Sequence, residues 1–249
     1  MSITRIDCHF INSSTFLEGS SSFVTLNPLI EPGTVVAAGS SVSSHNIGSQ
    51  VACRLAIQHF TEGVLDVFDA SQSWPDEERR SLALDVLERS FKRANSSIYS
   101  FGHKLAAGGR LATSLIGLVI SQGMVATARA GSGSAFLLRD GEFHPFFERE
   151  GTQNLPTGHT AASSQVGANS LVTVELASIA MMERDYVLLF SNTPTELELK
   201  RMTVIASGLD SEPNPAEVLV RRVFNEERIP NFAFLIKIGP ESIYLRHVV

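Results

Sequence analysis

The sequence has few cysteines, no concentration of positive charge and no long apolar run. Only two of its 249 residues are cysteines, Cys8 and Cys53, which fits a reducing compartment and favours free thiols over a disulfide. The net charge is −6 without any run of five basic residues, which argues against nucleic acid as a partner. No apolar stretch reaches the ~18 residues of a membrane span, and the first residues lack the regions of a signal peptide. These absences predict a cytoplasmic protein that binds neither nucleic acid nor membrane.

Several signatures of catalysis are also missing. The sequence has no phosphate loop ending in Gly-Lys-Ser or Gly-Lys-Thr, no Cys-x-x-Cys pair and no histidine pair at helical metal-ligand spacing. No aspartate occurs between Cys8 and Ile57, where the only acids are Glu18 and Glu31. The glycine-rich residues 131–135 lie between two strand-like runs, which predicts a tight hairpin turn rather than a phosphate cradle.

Hydrophobic patterning predicts an α+β fold with layered antiparallel sheets. Two amphipathic helices are expected at about 49–70 and 73–102. The second carries one apolar stripe: Leu82, Val86, Leu87, Phe91, Ala94 and Ile98. Strand-like runs follow to residue 191, including one at 171–177, and residues 148–169 are expected to form an exposed loop. Two helices capped at Thr193-Pro194 and Asn214-Pro215 come next, and then a C-terminal hairpin. Neither a βαβ repeat nor a linker occurs, which favours a single domain, 1–249.

The segment VVAAGSSVSSHN, residues 35–46, is typical of an apolar strand that ends in a turn of small residues before the first long helix. Serines occupy positions 40, 41, 43 and 44 of this turn, and His45 follows them. Strand ends of this kind hold metals and phosphates in enzymes, yet the turn contains no carboxylate. Hard divalent cations require such oxygens, so the composition of the turn argues against a metal site.

Five short motifs resemble, in order, those of the metal-dependent serine/threonine phosphatases of type 2C. Residues 36–45 are similar to the family's Val-Ala-Asp-Gly-x-Gly-Gly-His, and residues 112–115 to its Gly-Thr-Thr-Leu. Residues 131–141 resemble its Gly-Asp-Ser-Arg-Ala-Tyr-Leu-Leu-Arg-x-Gly hairpin, 184–193 its Gly-Asp-x-x-Leu-Leu-x-Ser-Asp-Gly strand, and 230–233 its Asp-Asn-x-Thr. The resemblance covers nearly the whole chain. It implies a four-layer α-β-β-α sandwich of two antiparallel sheets flanked by helix pairs.

The resemblance fails where the family's motifs carry chemistry. In that family, two divalent metals, usually magnesium or manganese, hold a water that attacks phosphorus, and an arginine near the N-terminus binds the phosphate. Here the arginine position falls near Phe16. The positions of the carboxylates fall on neutral residues: Ser20, Ser21, Ser40, Ser41, Ser132, Asn192 and Pro230. The resemblance therefore predicts no metal cofactor and no catalytic residue. Neutral residues at these positions also avoid the repulsion that neighbouring carboxylates would exert on one another in a site without metal.

These departures predict a pseudophosphatase that binds or regulates a protein partner, such as a kinase, a phosphoprotein or another signalling component. The expected contact surface is the former active-site face, beside a shortened flap at about 148–169, unless these loops only connect strands. Its candidate binding residues are Ser43, Ser44, His45, Ser132, Ser134, His159, Asn192, Thr193 and Asn231. Two alternatives stay open. One is a divergent active phosphatase with unusual ligands such as His45, Asn192 and Asn231, and the other is a sensor that holds a small ligand or anion in the vacated pocket.

Overall fold

Two compact units, each made of one β-sheet and one helix pair, form the described part of the chain. The computed structural model describes residues 2–10, 20–27, 34–42, 47–71, 82–105, 111–121, 123–147, 164–239 and 244–245. The two sheets, each with its own helix pair, confirm the predicted α+β class. The single domain stays a prediction. No helix among the described residues is long and apolar enough to cross a membrane.

The secondary structure elements follow one another in the predicted order of strands, two helices, strands, two helices and strands. The strands are β1 (Ser2–Phe10), β2 (Ser20–Asn27), β3 (Thr34–Ser41), β4 (Ser114–Ser121), β5 (Met124–Ala130), β6 (Ser134–Arg139), β7 (Glu142–Pro145), β8 (Glu175–Ala180), β9 (Tyr186–Phe190), β10 (Phe232–Gly239) and β11 (Tyr244–Leu245). The helices are α1 (Ile47–Ser71), α2 (Leu82–Lys104), α3 (Glu196–Ala206) and α4 (Pro215–Val223).

The first unit contains a six-stranded sheet in the order β11-β1-β10-β9-β6-β7. Helices α3 and α4 cover one face, where Phe190 stacks against Phe136 and Phe224 with ring centroids 6.3 and 5.5 Å apart. All pairings are antiparallel except that of β11, whose Tyr244 and Leu245 pair in parallel with β1. The predicted C-terminal hairpin is therefore wrong, because β10 pairs with β1 and β9 and β11 joins the other side of β1.

The groups that cap the two helices of the first unit differ from the predicted ones. Helix α3 begins after Thr195, two residues beyond the predicted Thr193, because Thr195 and Glu198 form a reciprocal capping box. Helix α4 begins at the predicted position, but the side chain of Asn214 caps no backbone group. The buried carboxylate of Asp7 on β1 instead accepts a hydrogen bond of 2.8 Å from the backbone N–H of Ala216. A carboxylate at this end of a helix also interacts favourably with the helix dipole.

The second unit contains a five-stranded antiparallel sheet in the order β2-β3-β4-β5-β8, with α1 and α2 packed on one face. Every residue of the predicted α2 stripe is buried. The helices approach closely at Gly63, where an added Cβ would lie 2.7 Å from Cα of Ser90. Strand β8 begins four residues later than predicted, at Glu175, where the carboxylate pairs with the buried guanidinium of Arg129 on β5.

The segment that leads to β8 is partly buried, although residues 148–169 were expected to form an exposed loop. Residues 148–163 lie outside the described part of the chain. Val166 is fully buried and pairs with Thr113 through two backbone hydrogen bonds. Asn95 of α2 holds the next residues: its Oδ1 accepts a bond of 2.8 Å from Gly167 N, and its Nδ2 donates to the carbonyls of Asn169 and Ser170. The end of the loop is therefore fixed to the helix pair.

Replacing Asn95 by leucine is expected to lower the free energy of unfolding by about 2 kcal/mol, because the buried Gly167 N–H loses its acceptor. Urea denaturation followed by circular dichroism measures the change. Ser96→Leu, at the exposed neighbouring position of α2, is the matched control and is expected to change stability by less than about 0.5 kcal/mol. Equal midpoints for the two variants would contradict the role assigned to Asn95.

Candidate functional site

The predicted site residues fall into one group in each unit. The first unit holds Ser134, Asn192, Thr193, Pro230 and Asn231, and the second holds Ser20, Ser21, Ser40, Ser41 and Ser132. The other predicted positions, Phe16, Ser43, Ser44, His45 and His159, lie outside the described residues.

In the second unit, the serines of the predicted turn lie at one end of neighbouring strands. The antiparallel register pairs Ser20 with Ser41 and Ser21 with Ser40, and β4 adds Ser114 opposite Ser41. The resemblance matches Ser20 and Ser21 to a Glu-Asp pair and Ser40 and Ser41 to an Asp-Gly pair. All four positions therefore lie at the same end of the paired strands β2 and β3. Residues directly opposite each other on paired strands lie about 5 Å apart, so the backbones of these serines are neighbours at this end of the sheet.

The hydroxyl of Ser40 is completely buried and bonded within the protein. Its Oγ lies 2.7 Å from Oγ1 of Thr113, and the same Thr113 oxygen lies 3.0 Å from the carbonyl oxygen of Ser41. The thiol of Cys53 on α1 joins this cluster, with Sγ 3.2 Å from Thr113 Oγ1. Thr113 thus ties the end of β3 to α1, and the hydroxyl of Ser40 is already used in this cluster.

A second hydroxyl cluster surrounds Ser114, next to the first. Ser114 Oγ accepts bonds of 2.9 Å from both the backbone N–H and the hydroxyl of Ser132, and Nε2 of Gln165 lies 3.5 Å away. Gly131 has φ +82°, and an added Cβ there would lie 2.5 Å from Ser114 Oγ. The expected hairpin at 131–135 is wrong, because β5 pairs with β4 and β8 whereas β6 pairs with β7 and β9. Ser132 itself is exposed.

Both cysteines are free thiols, as the composition predicted. Burial raises the pKa of the Cys53 thiol above its ordinary value, an effect that its hydrogen-bond partners Thr113 and Ser40 partly oppose. Burial raises the pKa of Cys8 to about 12, and the negative charge of Asp7 adds to that rise. Neither thiol is therefore a reactive thiolate near neutral pH.

In the first unit, the turn after β9 carries Asn192 and Thr193. The hydroxyl of Ser134 donates to the carbonyl of Asn192 at 2.7 Å, and Nδ2 of Asn192 donates to the carbonyl of Arg228 at 2.6 Å. The guanidinium of Arg228 donates a hydrogen bond of 3.0 Å to the carbonyl of Thr193. The turn is thus held from β6 on one side and from the segment before β10 on the other.

The carboxylate of Glu198 anchors the same turn from α3. It is buried, accepts the Thr195 N–H at 2.6 Å and lies 3.4 Å from Nε of Arg228, whose side chain is half-exposed. Sequence reasoning missed Arg228 because no motif includes it. The only signal for Glu198 was the helix cap, which the sequence placed two residues early.

The remaining predicted residues of this group differ in what they can offer a ligand. Ser134 and Pro230 are buried, so neither presents a side chain to a partner. Asn231 is half-buried, and its backbone N–H donates to Ser191 Oγ at 2.7 Å. Asn192 Oδ1 is buried and has no hydrogen-bond partner within the described structure. In the part of the chain that the structure describes, no three His, Cys, Asp or Glu side chains are grouped to hold a metal.

Comparison with known proteins identifies the fold. No family model and no curated protein matches the sequence. Among solved structures, the chain is similar to the serine/threonine phosphatase PstP in complex with two manganese ions, with 14% identity, a TM-score of 0.62 and coverage of 95% of this chain and 99% of that one. It is also similar to the PPM phosphatase MsPP of Mycobacterium smegmatis in complex with cacodylate, with 14% identity, a TM-score of 0.60 and coverage of 96% of this chain and 100% of that one. A third similar structure is PppA, a key regulatory component of T6SS in Pseudomonas aeruginosa, with 14% identity, a TM-score of 0.56 and coverage of 88% of this chain and 96% of that one.

Proposed function

We propose that this chain, which has the fold of PPM-type serine/threonine phosphatases, is catalytically inactive and acts as a protein-binding or regulatory module in a phosphorylation-linked system. One observation carries the proposal. The side chains at the expected ligand positions are neutral, and those of Ser40 and Asn192 already bond to the protein itself.

The residues present do not fit a pair of divalent metals. Manganese and magnesium take oxygen ligands and depend on carboxylates to offset their charge. The hydroxyl of Ser40 is buried against Thr113, Nδ2 of Asn192 donates to a carbonyl, and Pro230 has no side-chain donor. A neutral donor set leaves the repulsion between two divalent ions uncompensated. No catalytic step through metals is therefore assigned to this chain.

The turn at Asn192 and Thr193 and the segment at Ser132 favour a role in protein binding. The turn at Asn192 and Thr193 is fixed by Ser134, Arg228 and Glu198, so little conformational entropy is lost when a partner docks on it. In the second unit, exposed Ser132 is held by Ser114 in the same manner. The partner that suits a phosphatase fold without metals is a kinase, a phosphoprotein or another component of the same signalling system, in the cytoplasm. PppA is itself described as a regulatory component.

A divergent metal-dependent phosphatase is the second candidate. The observation that favours it is Asn192 Oδ1, a buried acceptor without a partner among the described residues. An amide oxygen is a ligand that calcium and magnesium accept, although it brings no charge. Manganese titration combined with a phosphatase assay separates the two functions.

The first test is isothermal titration of the purified protein with manganese, together with a p-nitrophenyl phosphate assay on the same sample. We expect neither stoichiometric binding nor turnover above buffer. The manganese-binding phosphatase PstP is the positive control for both measurements. Stoichiometric manganese binding with turnover would contradict the proposal and establish the second candidate. Thermal stabilisation by phosphate or cacodylate without turnover would instead favour the anion sensor.

A further inference from the structure

Helix α3 packs one side against the first unit and presents two apolar side chains on the other. Met202 is fully buried, and Leu199 and Ile205 pack against the same core. Leu197 and Val204 are instead 58% and 79% exposed. They lie seven residues apart in a helix of about 3.6 residues per turn, so both belong to one outward stripe two turns long.

Val204 contributes little to the stability of the helix that carries it. A β-branched side chain loses rotamer freedom in a helix, and valine forms helices less readily than alanine, lysine or glutamate. Burial does not offset this cost, because the side chain remains largely in water. Single apolar residues are common on protein surfaces, but here a poor helix former stands in line with a second exposed one, Leu197. Residues that break a local rule in this way point to a function outside the fold.

Two basic residues, Lys200 and Arg201, lie between these apolar side chains, at the third and fourth positions after Leu197. Lys200 is exposed and forms no ion pair within the part of the chain that the structure describes. Arg201 is half-buried, and its Nη1 donates at 3.2 Å to two neutral acceptors, the carbonyl of Val223 and Oδ1 of Asn225. Among the described residues, no carboxylate therefore pairs with either of the two cations.

Other basic side chains of the first unit do pair with carboxylates. The pairs are Arg221–Glu217, Arg222–Glu212, Arg228–Glu198 and Lys237–Asp210. In α3 itself, Glu198 is buried in the helix cap, and Glu196 is the only exposed acid of the helix. The stripe thus presents two positive charges on a chain whose net charge is −6. Such a surface is complementary to a partner with carboxylates at this point.

We propose that the stripe formed by Leu197, Lys200, Arg201 and Val204 binds an acidic amphipathic helix of a partner protein. The helix that fits carries an apolar side chain at each end of a two-turn stripe and carboxylates between them. Packed side by side, the two stripes bring their apolar ends together and place the carboxylates against the ammonium and guanidinium groups. The spacing of the four residues is the same from either end, so the partner helix can run parallel or antiparallel to α3.

The same stripe of a second copy of this chain does not suit the site, because its Lys200 and Arg201 would lie against those of the first copy. The proposal extends protein binding beyond the former active-site face. It does not depend on the loss of catalysis, because α3 contains none of the positions matched to metal ligands.

The interaction is expected to be weak and to weaken further with salt. One stripe of a single helix buries less than the ~1,200 Å² at which stable interfaces begin. Opposite charges supply much of the attraction, and salt screens charges that remain in contact with water. Raising the salt concentration from about 0.01 M to about 1 M shortens the screening length from roughly 30 to 3 Å and should weaken binding about tenfold.

NMR titration of the isotope-labelled protein with a stapled helical peptide tests the site. The probe carries two leucines two turns apart with two glutamates between them, and the control peptide carries lysines in place of the glutamates. We expect the acidic probe to shift the backbone amide signals of α3 and to bind about tenfold more tightly than the basic one. Absence of shifts in α3, shifts confined to other elements, or equal binding of the two peptides would overturn the proposal.

A pair of charge-reversal variants tests the cations of the stripe. Lys200→Glu should weaken binding of the acidic probe about tenfold, because it places a carboxylate against those of the probe. Lys92→Glu is the matched control, since it makes the same change at an exposed lysine of α2, in the other unit, and should leave binding unchanged. Equal losses for the two variants would reduce the effect to net charge and contradict the proposed site.

Val204→Ala separates binding from folding. Alanine is the better helix former, so the midpoint of urea denaturation should not fall, whereas the probe loses an apolar contact and should bind more weakly. A lower midpoint together with unchanged binding would show that Val204 serves the fold rather than a partner, and the proposal would then be wrong.

Discussion

Replacing Arg139 by leucine will lower the free energy of unfolding by about 3–5 kcal/mol. Arg139 of β6 forms a bidentate pair with Asp185, with Nε–Oδ1 and Nη2–Oδ2 distances of 2.9 and 2.6 Å. The hydrogen bonds to Asp185 raise the pKa of the guanidinium, so it stays charged at every pH that the fold tolerates. Asp185 is only 1% exposed, so the variant leaves an unpaired carboxylate that water cannot reach. Its remaining bond, from Met182 N at 2.8 Å, does not balance the charge.

Guanidinium denaturation of wild type and variant measures this loss. Arg93→Leu is the matched control, since Arg93 also pairs with carboxylates, Glu62 and Asp66, but all three side chains are exposed by a third or more. An exposed pair is worth about 0–1 kcal/mol, so the control should be near neutral. A loss of less than about 1.5 kcal/mol for Arg139→Leu would mean that the site relaxes and admits water.

The parts of the fold that the sequence predicted are those with long, regular patterns. The α2 stripe from Leu82 to Ile98 repeats often enough that one misjudged residue changes nothing, and all of it is buried. Asp140-Gly141 is a dipeptide typical of hairpin turns, and it joins β6 to β7 with both residues in the positive φ that such a turn demands. Short signals were less reliable. Thr193 and Thr195 both carry a cap-forming side chain, and the choice between them depends on which one the Glu198 carboxylate reaches.

The candidate site was predictable only where it coincides with a motif. The register of β2 and β3 pairs the backbone of Ser20 with Ser41 and of Ser21 with Ser40, four positions to which the resemblance had drawn attention. The groups that bond to the site residues were not predictable, because they come from distant positions in the chain. Thr113 reaches Ser40 across 73 residues, and Arg228 reaches Asn192 across 36. Pattern reasoning finds periodic burial, whereas a polar cluster depends on the final position of several strands at once.

Replacing Ser40 by aspartate will lower the free energy of unfolding by at least about 3 kcal/mol and will not create a manganese site. Ser40 is 0% exposed, and its neighbours Thr113 and Cys53 carry no positive charge. Asn192→Asp is also expected to destabilise the fold. The Nδ2 group of Asn192 donates a hydrogen bond of 2.6 Å to the carbonyl of Arg228, and a carboxylate oxygen in its place would be repelled by that carbonyl. Ser132→Asp is the matched control, since Ser132 is exposed and its new charge stays in water.

The pH dependence of the Ser40→Asp variant distinguishes a buried charge from a mere steric defect. Burial raises the pKa of such a carboxyl above the ~3.9 of an unfolded aspartate. Between these two values the unfolded chain releases the proton and the folded chain keeps it, so the stability deficit must grow as pH rises from about 4 and shrink in acid. A steric defect would cost the same at every pH. Stabilisation of this variant by manganese at neutral pH would show that one added carboxylate suffices to form a metal site, and it would contradict the proposed misfit between these residues and divalent metals.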